Sequence, residues 1–386
     1  MSVTAVNSPV IRAEERIKPE GLWLRSRNWD TFYMTMSVFL VPLPYLVYLL
    51  GVNLGIHDDV ARNGVNLVVA LLVGGPHMYA TFLRTALDKN FVKRYPMLIR
   101  SSIIIPIVVV SLAFLNLSLL LTIFFFWASI HVLHQVTYVV ELYNHRATGK
   151  VKGSAVTLWA RLIDYALILT CLFPIAALKI SRQDFRIGTN DLTKVIPDFF
   201  FTKNPGEVPW FFLLMAGLFG VALVAFLIKS YIEWRGGYIH WPKTIFILIS
   251  ALVAATMPAL DNLDTAFQGL NTWHSFQYLA LTFYLIKLRE QSGDLNGAMP
   301  TIRKFAADKS SARLYMFSAS MILGSLVLGF AVYMIVGIVD PSRSANARFD
   351  TAYYTAILCF LWIHYYHDHF LFTDFEAIER QTAPAA

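Results

Sequence analysis

The chain has 386 residues, of which 56% are hydrophobic and only 15% charged. A soluble globule with that balance could not cover its surface in polar groups, so the composition excludes an ordinary soluble domain and points to membrane-spanning helices of ~20 apolar residues each. The formal charge of +7 is accounted for by membrane orientation, as argued below, so no nucleic-acid partner is needed.

In chain order, residues 1–31 are polar and basic, with Arg12, Arg16, Lys18, Arg25 and Arg27. They read as a cytoplasmic segment without a cleavable signal peptide, its 12–31 part an amphipathic helix lying along the inner surface. Ten apolar runs follow, near 32–52, 63–86, 99–116, 118–144, 157–179, 208–230, 243–260, 264–288, 314–338 and 350–373. Tryptophans 23, 29, 210 and 241 fall near their ends, where amphipathic rings favour the headgroup region. The expected fold is therefore an all-α integral membrane protein, with a single polytopic domain over 32–373 and a disordered cytoplasmic tail at 374–386. If the chain starts inside and alternates, about three quarters of the 32 basic residues lie on the inner side. That asymmetry predicts cytoplasmic termini, in a bacterial inner membrane. The two cysteines, Cys171 and Cys359, lie in apolar runs and read as buried small hydrophobes.

The chemistry is in the histidines. Of ten, His57, His145 and His240 fall in or beside polar loops. The other seven lie within apolar runs, where polar residues are costly and usually functional. His77 is in the second run, His131 and His134 in the fourth, His274 in the eighth, and His364, His367 and His369 in the tenth. All four runs are even-numbered, so they cross the membrane in the same direction, and their histidines sit at similar depth. His77, His131, His134, His274, His364 and His367 are expected to converge on one intramembrane metal site. His131 with His134 and His364 with His367 are i, i+3 pairs that share a helix face. His369 is ~140° from His364 on a regular helix and joins the site only if the helix unwinds or a second metal is present. Glu141 continues the His134 face as a further ligand candidate. Neutral imidazoles without thiolates suit iron, zinc or copper. Asp368, Asn271, Gln135 and Gln277 are placed to fix the imidazole tautomers by hydrogen bonding. Gly74-Gly75-Pro76-His77 predicts either a packing kink or a helix break that aims His77 into the site. Arg161 and Asp164, at i, i+3, read as an ion pair, and Arg84 as a side chain snorkelling to the interface.

The Gly-Gly-Pro-His at 74–77, with single or paired histidines on several membrane helices, resembles the Brp/Blh family of membrane carotene dioxygenases. That resemblance implies one non-haem iron held by histidines and a hydrophobic tunnel for a polyene. The strings His-x-x-His at 131–134 and His-x-x-His-x-His at 364–369 also resemble integral-membrane desaturases and hydroxylases, which hold two irons, although the spacing departs from their usual boxes.

The function expected is an iron-dependent oxidoreductase with one or two Fe. It would use O₂ on a lipophilic substrate such as a carotenoid or acyl chain, with Tyr138 or Tyr278 supplying a proton or hydrogen bond. An electron donor such as ferredoxin is a candidate partner, alongside membrane lipids. The alternatives are a metal or proton transporter, or a haem-binding electron-transfer protein.

Overall fold

The structure, a computed structural model, describes residues 21–147, 156–188, 190–204, 206–261 and 263–373. The rest of the expected 12–31 helix and the 374–386 tail lie outside the described residues.

Ten long helical segments are found among the described residues: α1 Arg27–Asn53, α2 Asp58–Arg84, α3 Pro96–Leu115, α4 Leu117–Ala147, α5 Leu158–Ser181, α6 Trp210–Arg235, α7 Trp241–Ala259, α8 Leu263–Gln291, α9 Ala312–Val339 and α10 Ala345–Thr373. Eight of them are long and apolar enough to cross a membrane. The other two, α8 and α10, are as long but more polar, and both carry candidate site histidines. Helix is the physically required choice for such runs, because a lipid environment leaves no water to satisfy a non-helical backbone. The only strands among the described residues form a short antiparallel hairpin, Arg186–Ile187 with Asn190–Asp191, between α5 and α6.

The chain entering α1 is a turn rather than a surface helix over its described part. Asp30 holds it down: its carboxylate, fully buried, accepts from the amides of Leu24 (2.7 Å) and Arg25 (3.1 Å) and from the Tyr143 hydroxyl of α4 (3.0 Å). Further on, α1 is irregular, with a π turn at Asp30–Thr35 and a 3-10 turn at Met36–Leu40. Its Val41 carbonyl packs directly on Gly269 of α8, where a Cβ would come within 1.9 Å of that oxygen. Only glycine permits this approach, the same use of small residues that brings helices together in membranes.

Burial separates a centre from a periphery. In the apolar stretch of α2, 72% of residues are buried, against 11% in α6 and 22% in α3 and α9. The centre is a square of four helices. α2 packs on α8 and α10, and α4 packs on the same two. These are the four helices that carry the seven histidines expected at membrane depth.

The break expected at 74–77 is milder than a break. Ala70–Gly74 forms a π turn, after which Gly75–Arg84 continues as regular helix. Pro76 cannot donate to the carbonyl four residues back, at Leu72, and the Tyr315 hydroxyl takes that carbonyl instead at 2.7 Å. Gly75 is required by contact: a Cβ there would meet Ile322 Cδ1 at 2.6 Å and the Ala70 carbonyl at 2.7 Å.

Candidate metal centre

Each of the four central helices contributes one histidine to a closed ring. The imidazole centroids are 4.9 Å apart for His77–His274, 4.9 Å for His274–His131, 5.0 Å for His131–His364 and 4.5 Å for His364–His77. All four residues are buried, none more than 4% exposed. Ligand atoms of His77, His274 and His364 lie within 4.8 Å of one another, and so do those of His131, His364 and Asp368.

The hydrogen bonds decide which nitrogen two of the rings offer. His77 Nδ1 contacts the Gly74 carbonyl, which can only accept, so Nδ1 carries the proton and Nε2 keeps its lone pair. The Ser275 hydroxyl also reaches Nδ1, at 2.8 Å. On α10, His364 Nδ1 contacts Thr81 Oγ1. Thr81 donates its own proton to Asp368 Oδ1 at 3.0 Å, so the imidazole is the donor to Thr81 and its Nε2 is again bare. The Nε2 atoms of His77, His131, His274 and His364, and Nδ1 of His274, are buried with no hydrogen-bond partner among the described residues. Leaving one buried polar atom unsatisfied costs ~1–3 kcal/mol. Four rings with bare or unpaired nitrogens, arranged as two ligand groups that share His364, form a ready site for a Lewis acid.

Below the histidines lies a second polar layer, set by helix periodicity. A residue four further along stands ~6 Å lower and ~40° around. That step places Thr81 below His77, Gln135 below His131, Tyr278 below His274 and Asp368 below His364. Three of the four form one knot: the Tyr278 hydroxyl donates to Asp368 Oδ1 at 2.8 Å and is 2.6 Å from Thr81 Oγ1. Asp368 Oδ2 stands 3.5 Å from His364 Nδ1 and 3.9 Å from His131 Nε2. Gln135 instead donates to the His274 backbone carbonyl (3.1 Å) and to Gln277 (3.2 Å), and Gln277 donates to the Met34 carbonyl of α1 (2.6 Å). Asn271 bonds to Gln268 and accepts from Ser275, so it reaches His77 through that serine. Seven residues beyond His77 and His131 come Arg84 and Tyr138. The Arg84 guanidinium is buried beside Tyr138, Tyr278 and Asp368 rather than snorkelling to an interface. Tyr138 stacks on Phe372 at 4.7 Å.

Three of the expected histidines lie elsewhere. His134, three residues from His131, is turned ~60° away and is half-buried, with His369 (5.7 Å between centroids) and Phe372 as its ring neighbours. His369 itself is on the exposed side of α10. His367 is buried, but both its nitrogens are engaged: Nδ1 with Thr85 Oγ1 at 3.0 Å and Nε2 with Ser102 Oγ at 2.9 Å. It braces α10 against α2 and the start of α3. Glu141 is ten residues, ~15 Å, along α4 from His131. There it accepts from Arg161 at 3.0 and 2.7 Å, from Asn144 at 3.0 Å and from Tyr165. Arg161 is thus taken by Glu141, and the expected Arg161–Asp164 pair is replaced by Asp164 with Lys229 and Lys243.

The residues not anticipated are Thr81, Ser275 and Arg84 as site neighbours. A signal for two of them was present, since Thr81 and Arg84 follow His77 at i+4 and i+7 on one face. No known protein family, curated protein or solved structure matches this chain.

Proposed function

We propose that His77, His131, His274 and His364 hold one metal ion, iron by preference, in a membrane-embedded oxidoreductase that uses O₂ on a lipophilic substrate such as a carotenoid or acyl chain. The observation that carries this reading is the set of buried, unpartnered imidazole nitrogens converging from four helices. Imidazole without thiolate suits iron among the redox metals, and the mutual edge-to-face packing of the rings leaves no slot for a haem plane between them. A four-histidine set favours the single iron implied by the Brp/Blh resemblance over the two irons of desaturases.

Bound iron would supply O₂ activation. The protein's own groups do the rest. Gly74 and Thr81 fix the tautomers of His77 and His364, which keeps both Nε2 atoms available. Tyr278 and Asp368 form a short proton path whose hydroxyl and carboxylate lie one turn below the imidazoles. Arg84 beside them offsets the buried carboxylate charge. The surrounding apolar side chains exclude water, which strengthens these interactions. A cleft of about 330 Å³ between α2, α9 and α10, almost wholly apolar, abuts the turn that carries His77 through Gly75 and Met78; it suits a hydrocarbon chain. With ten crossings and the basic residues inside, both termini are cytoplasmic, and the site lies toward the inner half of the bilayer.

The test is metal analysis of purified protein with its visible spectrum, on the native chain, His274→Ala and His145→Ala. About one iron per chain without a Soret band, lost in His274→Ala and kept in His145→Ala, is expected. A Soret band, or equal metal in both variants, would overturn the reading.

A further inference from the structure

A second cleft, on the other side of α4, carries a different chemistry. It has a volume of about 440 Å³ and opens between the start of α5, the end of α6 and the start of α7. That volume is within the range of ordinary small-molecule sites. Its walls are mostly apolar, with Trp159, Ile163, Ala225 and Ile228 among them, and its polar groups are Lys229, Lys243, Glu233 and His240, with Asn144, Thr157 and Tyr238 beside them.

The charges among these groups are already satisfied. Lys229 Nζ bonds to Asp164 Oδ1 at 2.6 Å and lies 3.3 Å from Glu233. Lys243 Nζ bonds to Asp164 Oδ2 at 3.0 Å and to Asn144 Oδ1 at 2.9 Å. Two ammonium groups face two carboxylates, so formal charge cancels. His240 differs. It is 5% exposed, and its Nδ1 accepts the backbone amide of Lys243 at 3.2 Å, capping α7. Burial, with Lys243 beside it, pushes this imidazole down to about 4, so it is neutral at physiological pH. Because Nδ1 accepts, Nε2 carries the proton, and that N–H has no partner among the described residues.

We infer that this cleft binds a lipophile whose head is a neutral carbonyl, of which a quinone is the type, with His240 Nε2–H donating to that oxygen. A lone donor on a buried neutral ring calls for an acceptor. A balanced charge cluster gives an anion no net attraction and imposes the cost of burying it. Apolar walls opening at the membrane end of three helices suit a ring and a hydrocarbon tail. This site is separate from the histidine centre and does not depend on the function proposed for it.

The probe is decyl-benzoquinone, titrated into the full-length protein in nanodiscs and followed by quenching of tryptophan fluorescence, with Trp159→Phe identifying the cleft signal. Saturable quenching is expected. His240→Asn keeps a side-chain oxygen for the α7 cap but draws the donor back from the Nε2 position on a shorter side chain, and should weaken binding about tenfold, the worth of one hydrogen bond to a buried acceptor. Ala225→Phe, which fills the wall without touching the polar groups, should weaken it as well. Methyl decanoate and decanoate serve as competitors. Displacement by the ester would show that any neutral carbonyl lipophile fits, and its failure would show that the quinone ring is read; both agree with the inference. Displacement by decanoate but not by the ester would overturn it in favour of an anion site. Unsaturable quenching, or binding unaltered in both variants, would also overturn it. So would loss of binding on removing metal with a chelator, because the probe would then sit at the histidine centre.

Discussion

Two buried polar regions sit in this bundle and follow opposite rules. At the Asp164 cluster every charge meets its opposite: two lysines close on one carboxylate, and Glu233 and Asn144 take the remaining contacts. At the histidine centre the groups are imidazoles, and among the described residues their converging nitrogens have no hydrogen-bond partner. The first arrangement is complete as it stands and holds α5, α6 and α7 together. The second leaves its atoms unsatisfied unless something else enters. Buried polarity alone therefore does not mark a functional site; unmet hydrogen-bonding capacity does.

Predictions that separate the two regions can be ordered by size. Removing Asp164 should have the largest effect. Asp164→Ala leaves Lys229 and Lys243 buried and facing each other, and should cost about 3–5 kcal/mol of stability. Thermal unfolding in detergent checks this, with metal per folded chain unchanged; an unaltered melting temperature would contradict the structural role given to the cluster. Thr81→Val should behave in the converse way. It keeps the side-chain shape but removes the hydroxyl that accepts from His364 and donates to Asp368, so metal affinity should drop ~10–100-fold with the fold intact. Competition against a graded series of chelators measures it, and native affinity in that variant would show that the layer below the histidines does not tune them. His367→Ala should cost only ~1–3 kcal/mol, from the two hydrogen bonds lost to Thr85 and Ser102, whose hydroxyls keep the Thr81 and Leu98 carbonyls as acceptors, and should keep its metal. The smallest effect belongs to His134→Ala, with metal retained and stability changed by less than ~1 kcal/mol. Metal loss in either of these last variants would return them to the ligand set.

Much of this architecture was legible in the chain. The ten apolar runs coincide with ten long helices among the described residues, eight of them long and apolar enough to cross a membrane, because helix length in lipid follows hydrophobic length. The four helices that meet at the centre are those with intramembrane histidines. Which member of each histidine pair faces the centre was not legible. His131 and His134 differ by ~60° in helical angle, as do His364 and His367, and only the packing of neighbours chooses between them. The choice of His364 carries Asp368 with it, since i+4 stays within ~40°. For the same reason Arg84 faces the site: it follows the angle of His77 and the helix end lies inside the bundle, where an interface had been expected. The pairing of Glu141 with Arg161, and of Asp164 with lysines 65 and 79 residues distant, depends on contacts between helices that no local pattern encodes.

The π turn at Ala70–Gly74 has a consequence for how α2 tolerates change. A π turn holds one residue more than a regular turn, so it works as a phase shifter between two halves of one rod. Before it, Arg62 points at Asp264 of α8; after it, His77 points into the ring of imidazoles. Each half keeps its own angular frame, and the extra residue reconciles them. Deleting one residue within 70–74 would let the turn close as regular helix with both frames kept, whereas inserting one there would leave hydrophobic length and composition nearly untouched, yet swing one frame by ~100° against the other. The chain could then satisfy Asp264 or build the histidine ring, but not both with the same straight helix.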